Sequence, residues 1–442
     1  MKILEKIIEY GLYLFVFLLP WQTRLILNEG NLNGYWEYGT ISLYTTEVLL
    51  WVIFILAAIW WAIYKLKNQK SRIQISNKIQ KPKSRSDYLL ICLSAFLLYS
   101  FISIFGADSK SVALQAWVRL VEGIGFFLVL RTVKFDVAKL IWSFVFSAVL
   151  QVGLGFWQFL SQSTFSFKWL GMAFHDPAVP GTVVVETTLR RWLRAYGGLP
   201  HPNMLASFLA VAMFFVFWIY QKTEQSLRKL LLPLIFAILS IGLCSTFSKS
   251  VVLSFLMALI LLWAGFFVFK QSKESKLNLL KFTLIFLVIA AVFSAIFWEP
   301  VQTRIYGAER LEIKSTTERL NYFGEAWQLI KNHPLTGVGL GNYTLSIHND
   351  INPDLQSWSY QPVHNIYLLI LAELGIIGFI LWLVLIFLLI KKIPITNYQL
   401  PITLLVISLF DHYLWTLYFG IILFWLVLGV GQKALDNSFD KT

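Results

Sequence analysis

SVVLSFLMALILLWAGFFVF, residues 250–269, runs its whole length without a charged side chain. A helix of about 20 such residues rises about 30 Å, the depth of a bilayer's hydrocarbon core. Comparable windows recur along the chain, about twelve in all: 3–19, 46–64, 88–105, 112–130, 140–160, 203–220, 230–246, 250–269, 277–297, 363–390, 400–414 and 416–431. Transmembrane strands would read as short alternating runs, so continuous apolar runs specify helices, which satisfy their own backbone in lipid. The sequence therefore predicts an all-α, polytopic bundle of about 12 spans, with 1–442 as a single integral membrane domain. The first apolar run lacks a small-residue cleavage site and is read as a span, not a cleaved signal.

Composition agrees with the windows. Hydrophobic residues make up 57% of the 442 and charged residues only 14%, against about 25% charged in soluble domains. Cys92 and Cys244 both lie in apolar runs, which leaves no disulfide scaffold or cysteine metal knuckle. The formal net charge of +13 would suggest nucleic acid in a soluble protein. Here its distribution explains it better. With both termini cytoplasmic, most Lys and Arg fall on the inner side. They concentrate in one linker (Lys65, Lys67, Lys70, Arg72, Lys78, Lys81, Lys83, Arg85) and in groups such as Lys270, Lys273, Lys276 and Lys281. That is the positive-inside pattern, and no nucleic-acid partner is expected.

Two outer loops are long, 161–202 and 298–362. Loops beyond about 15 residues are functional or disordered, and the aromatic and helix-like stretches in these two predict a structured extracytoplasmic cap. The first carries Arg190, Arg191 and Arg194 on the side where cations are disfavoured. They serve either lipid head groups or a site.

Three stretches on that side carry candidate chemistry. Arg194 leads through Gly197, Gly198 and Pro200 into His201, Pro202 and Asn203. Its planar guanidinium suits phosphate oxygens, and the glycines permit close backbone approach. Arg319 sits in a stretch where Leu320, Phe323, Trp327 and Ile330 recur at helical spacing. This predicts an amphipathic helix with Arg319 in its first turn and Thr316 or Thr317 as its cap. The following Gly337, Gly339 and Gly341 lack a strand and a Walker lysine, and read as a tight turn. His364 and Asn365 open the tenth span, followed by Gly375 and Gly378. An ionisable group at the mouth of a membrane helix is a functional candidate, and histidine exchanges protons near neutral pH. Lys249, between Ser248 and Ser250, offers a third cation. Arg119 and Glu122 read as a pair on one helix face, and Asp411 and His412 as a weaker candidate at another outer turn. His175, His333 and His348 show no ligand spacing, so no metal is expected.

Taken in order, the Arg194 to Asn203 stretch, the Arg319 helix ending in His333, Pro334, Leu335, Thr336, Gly337, Val338 and Gly339, and the His364, Asn365, Gly375, Gly378 pattern resemble the O-antigen ligase and O-antigen polymerase family, most strongly over about residues 190 to 380. The resemblance implies a C-type-like membrane glycosyltransferase of the bacterial plasma (inner) membrane, without a cofactor. Such an enzyme takes a glycan from undecaprenyl diphosphate and passes it to a hydroxyl of a lipid, glycan or protein on the periplasmic side. It further implies that Arg194 and Arg319 bind the diphosphate and that His364 engages the acceptor hydroxyl. Arg191, Lys249, His201, Asn203 and Asn365 then fall around the substrate, with membrane lipids as the remaining partners. Many members have arginine where this chain has Lys249, which keeps the charge and loses the bidentate fork. A polymerase and a protein O-oligosaccharyltransferase share this pattern. A transporter or lipid flippase is the alternative from another class, but transporters place ionisable groups near the midplane and show internal repeats. A non-catalytic scaffold would not require clustered arginines.

Overall fold

The computed structural model describes residues 1–72, 85–393 and 397–436. Lys78, Lys81 and Lys83 of the basic linker lie outside the described residues. In chain order the elements are α1 (Lys2–Leu18), β1 (Arg24–Asn28), β2 (Ile41–Tyr44), α2 (Thr45–Arg72), α3 (Arg85–Ile102), α4 (Lys110–Thr132), α5 (Val137–Ser161), β3 (Val184–Glu186), β4 (Arg191–Leu193), α6 (Pro202–Lys222), α7 (Ser226–Ser245), α8 (Lys249–Val268), α9 (Lys273–Ile296), α10 (Trp298–Tyr306), α11 (Arg310–Asn332), α12 (Tyr343–Asp350), α13 (Ile366–Ile390), α14 (Gln399–Ile407), α15 (Tyr413–Thr416) and α16 (Tyr418–Asp436). The class is all-α. The described strands form only two antiparallel pairs, β1 with β2 and β3 with β4.

Nine helices among the described residues, α2 to α9 and α13, are long and apolar enough to cross a membrane. The protein is therefore a multi-pass membrane protein. The remaining three expected windows differ. α1 spends its first turns on Lys2, Glu5, Lys6 and Glu9. The apolar part of α16 is shorter, Tyr418–Lys433. The window 400–414 is not one span: α14 has 9 residues, about 14 Å of rise, and the chain turns at Asp411 and His412 before α15. A carboxylate beside an imidazole is too costly to leave in lipid, so hydropathy averaged over the window hides a break.

α6 is the axle of the bundle. Almost every residue from Pro202 to Tyr220 is buried, because a helix apolar all round must be covered all round. α5, α7, α8, α9, α14 and α16 all pack on it. Its N-terminus, capped by His201 Nδ1 accepting from the Asn203 N–H at 3.1 Å, lies at the end of the bundle where the site forms.

α13 is the second organiser. Gly375 breaks it with φ +62°, and a Cβ there would collide with the Leu335 carbonyl oxygen. The loop carrying Gly337, Gly339 and Gly341, all at positive φ, docks into the break. The N–H groups of Val338 and Gly339 donate to Ala372 and Glu373 oxygens at 3.0 and 2.9 Å, and the Ile376 N–H donates to the Pro334 oxygen at 2.9 Å. The interrupted backbone of a membrane helix is thereby satisfied by protein, as lipid depth requires.

The long loops fold over the same end. Loop 161–202 contributes β3 and β4, and loop 298–362 contributes α10, α11 and α12. β3 packs on α10 and α11, while α11 packs on α13. α11 starts earlier than the sequence predicts, at Arg310. Arg319 therefore sits in its third turn, and Thr316 does not cap it but donates to the Glu312 oxygen at 2.9 Å. The face of α11 that packs inward is Ala326, Leu329 and Ile330, whereas Leu320 and Trp327 stay exposed.

Candidate active site

The helix ends and loops enclose a cavity of about 650 Å³ lined by Arg194, His201, Asn203, Lys249, Arg304, Glu312, Arg319, His364, Asp411 and His412, with Arg24, Glu37 and Tyr38 from the β1–β2 hairpin. Residues more than 200 positions apart meet because α6, α8, α13 and α14 all present an end here.

A hydrogen-bonded relay crosses the floor. Arg194 is buried and donates from Nε to the Thr246 oxygen at 2.6 Å and from a terminal nitrogen to Asn203 Oδ1 at 2.7 Å. Asn203 Nδ2 donates to Asp411 Oδ2 at 2.8 Å, and Asp411 Oδ1 accepts from the His412 N–H at 2.9 Å. Burial would raise the pKa of Asp411, but the surrounding His364, His412 and His201, together with Asn203, hold it below the usual carboxylate range. A buried Arg194 pinned at two points presents its charge at a fixed place, a preorganised stabiliser.

His364 sits just before α13. Its ring stacks on Tyr322 with centroids 5.8 Å apart and meets the His412 ring edge-on at 5.1 Å. Its Nδ1 is buried with no hydrogen-bond partner among the described residues. Burial lowers its pKa, with Arg319 acting in the same direction and Asp411 against it, so the imidazole is neutral and free to accept a proton. His201 and His412 are pushed down to about 3, chiefly by burial, and stay neutral. His412 Nδ1 lies 2.8 Å from Thr416 Oγ1 and its Nε2 3.5 Å from the Tyr38 hydroxyl. Of the three histidines, His364 is the one with a buried ring nitrogen that has no hydrogen-bond partner among the described residues.

The cations divide into held and unheld. Lys249 Nζ lies 2.7 Å from Glu312 Oε2, and Arg304 pairs with the other oxygen of that carboxylate. Arg304 Nε also donates to the Phe247 oxygen at 3.1 Å. Arg319 lines the cavity with no hydrogen-bond or ion-pair partner among the described residues.

Arg194, His201, Asn203, Lys249, Arg319 and His364, six of the residues singled out from the sequence, thus share one cavity. Two do not line it. Arg191 lies on β4 with its Nε 3.8 Å from Glu186. Asn365 is spent as the N-cap of α13, where Oδ1 accepts from the Leu368 N–H at 3.0 Å. Arg119 and Glu122 do not pair. Glu122 accepts from Trp51 Nε1 at 2.6 Å, and Arg119 lines an adjoining cavity toward α16 that shares Arg24, Glu37 and Tyr38 with the first. Arg304 and Glu312 carry no motif that sequence reading could use. Asp411 and His412 did carry a signal, a charged pair interrupting an apolar window.

His364, Asp411 and His412 bring three ligand-type atoms within 4.8 Å of one another. No local spacing shows this cluster, because it is assembled from two distant segments. Asp411 and His412 are already engaged in the hydrogen bonds above, and five cationic side chains, Arg24, Arg194, Lys249, Arg304 and Arg319, line the same cavity. The charge and donor set suit an anion better than a divalent cation.

Residues 234–383 match the family model described as O-Antigen ligase. Over that segment the chain is similar to the O-antigen ligase family. The matched residues supply Lys249, Arg304, Glu312, Arg319 and His364. Arg194, Asn203, Asp411 and His412 come from outside them. No curated protein matches the chain.

Proposed function

We propose that the protein transfers a glycan from a polyprenyl diphosphate carrier, undecaprenyl diphosphate, to an acceptor hydroxyl, without a metal ion. The observation that carries this reading is the convergence of Arg194, Lys249, Arg304 and Arg319 with His364 in one cavity. Departure of the diphosphate breaks the bond between the anomeric carbon and the phosphate oxygen, and charge builds on phosphate. Fixed cations stabilise that charge where it develops. The acceptor hydroxyl attacks the anomeric carbon, and its proton passes to His364 as the glycosidic bond forms. General-base catalysis of this kind contributes about 10²- to 10⁴-fold. Asp411 is placed to stabilise the imidazolium, and His364 then returns its proton to solvent or product.

The cavity is read as extracytoplasmic in a bacterial plasma membrane. Lys222, Lys270, Lys391 and Lys392 follow the ends of α6, α8 and α13 remote from the cavity, and such cations stay cytoplasmic. The test is a reconstituted assay with a carrier-linked glycan and lipid, glycan and protein acceptors, run with and without chelator. Transfer that persists in chelator and is lost in His364→Ala supports the reading. Transfer abolished by chelator, or unchanged in His364→Ala, rejects it.

A further inference from the structure

Glu312 sits in the first turns of α11, on the face that also presents Ser315, Thr316 and Arg319 to the cavity. Its side chain is almost wholly buried, and its two oxygens are divided between two cations from different elements, Oε2 on Lys249 of α8 and Oε1 on Arg304 of α10. A phosphate bridging the same pair would use the same arrangement of oxygens. The other anions lining the cavity are engaged elsewhere: Glu37 holds Arg24 in a two-point contact at 2.8 and 3.1 Å, and Asp411 ends the Asn203 relay. Burial raises the pKa of Glu312, but Arg304 and Lys249 outweigh it and leave it below the ordinary value, so an anion faces the incoming anion.

Both cations can change partner. Arg304 stays anchored through Nε on the Phe247 oxygen whatever its terminal nitrogens bind. The Lys249 side chain is half exposed on a flexible stem. The α10–α11 joint turns at Gly307, φ +65°, where an added Cβ would meet no neighbour.

We propose that Glu312 competes with the donor's diphosphate for Lys249 and Arg304: carboxylate and diphosphate hold the two cations alternately, and the carboxylate's return helps expel the prenyl diphosphate product. This rests on the diphosphate reading above. Two cations converging on one point with no anion between them would repel each other, whereas a permanent diphosphate clamp would hold its product. A resident carboxylate answers both problems. The other role open to this ion pair is a plain clip joining α8, α10 and α11, and the two roles predict opposite outcomes.

The experiment uses the full chain in nanodiscs, with farnesyl diphosphate and inorganic pyrophosphate as probes, and wild type against Glu312→Gln and Glu312→Asp. Competition predicts that Glu312→Gln binds both probes about tenfold more tightly, with a lower donor KM, a lower kcat and stronger inhibition by added prenyl diphosphate. Glu312→Asp, whose shorter carboxylate reaches the two cations less well, is expected to lie between, and it carries the test if the glutamine variant does not fold. Binding that is equal or weaker in a folded variant, with raised KM, is the clip's signature and overturns the proposal while leaving the diphosphate site standing. If wild type binds neither probe, the diphosphate reading itself falls and this inference with it.

Discussion

Asp411→Asn keeps the side chain's shape and removes one charge from the centre of the cavity. The nearest ligand-type atoms of Asp411, His364 and His412 lie within 4.8 Å of one another. At an effective dielectric constant of about 20, a carboxylate at that distance favours the imidazolium of His364 by about 3 kcal/mol. Asp411 raises the pKa of His364 against the downward push of burial and Arg319. In the proposed mechanism the base works as neutral imidazole, so transfer is expected to fail as pH falls through its pKa. Removing the carboxylate lowers that pKa and moves the acid limb of kcat/KM to lower pH. The same loss leaves the imidazolium formed in the transition state less stabilised, so the plateau drops by about 100-fold. The assay is reconstituted transfer from a carrier-linked glycan across pH 4 to 9 (range chosen about the histidine pKa), with thermal unfolding as a control for fold. An acid limb that stays fixed or moves to higher pH, at an unchanged melting temperature, refutes the assignment of Asp411 as the charge behind His364.

Arg319→Ala is expected to lower transfer at least about 100-fold while the melting temperature holds, since Arg319 has no partner among the described residues to lose; normal transfer by the purified variant removes Arg319 from the site. Arg191→Ala, whose nearest anion is Glu186 on the adjoining strand, is expected to change transfer less than about twofold, and a large loss of kcat would put β4 back in the reaction. Gly375→Ala forces a Cβ onto the Leu335 carbonyl and a side chain into φ +62°; it is expected to destabilise the protein by about 1–3 kcal/mol, read as a lower melting temperature, and an unchanged one means that the break in α13 is not needed for the glycine loop to dock.

Burial alone could not have been read from the windows. Leu320, Phe323 and Trp327 have the spacing of a packed helix face, yet Leu320 and Trp327 are exposed, while Ala326 and Leu329 carry the contact with α13. Periodicity specifies a helix and a stripe, but which stripe faces protein depends on what lies opposite. Arg304 and Glu312 were invisible for a related reason: an ion pair eight residues apart on two helices has no sequence signature until the turn at Gly307 brings it together. Asp411 and His412 were legible as an oddity in window 400–414 and not as a site, because a turn at one bundle end has no meaning before the other ends are placed.

Hydropathy and charge are local properties of the chain. They sufficed for the all-α class and the multi-pass membrane habit, since lipid requires each spanning segment to satisfy its own backbone. The arginine and histidine motifs could likewise be named one by one from their order in the sequence. Which of them share a cavity, and which cation is left unpaired within it, depends on helix ends meeting across more than 200 residues. Only packing around α6 and the break in α13 brings those ends together, so the membership of the site is a property of the tertiary structure.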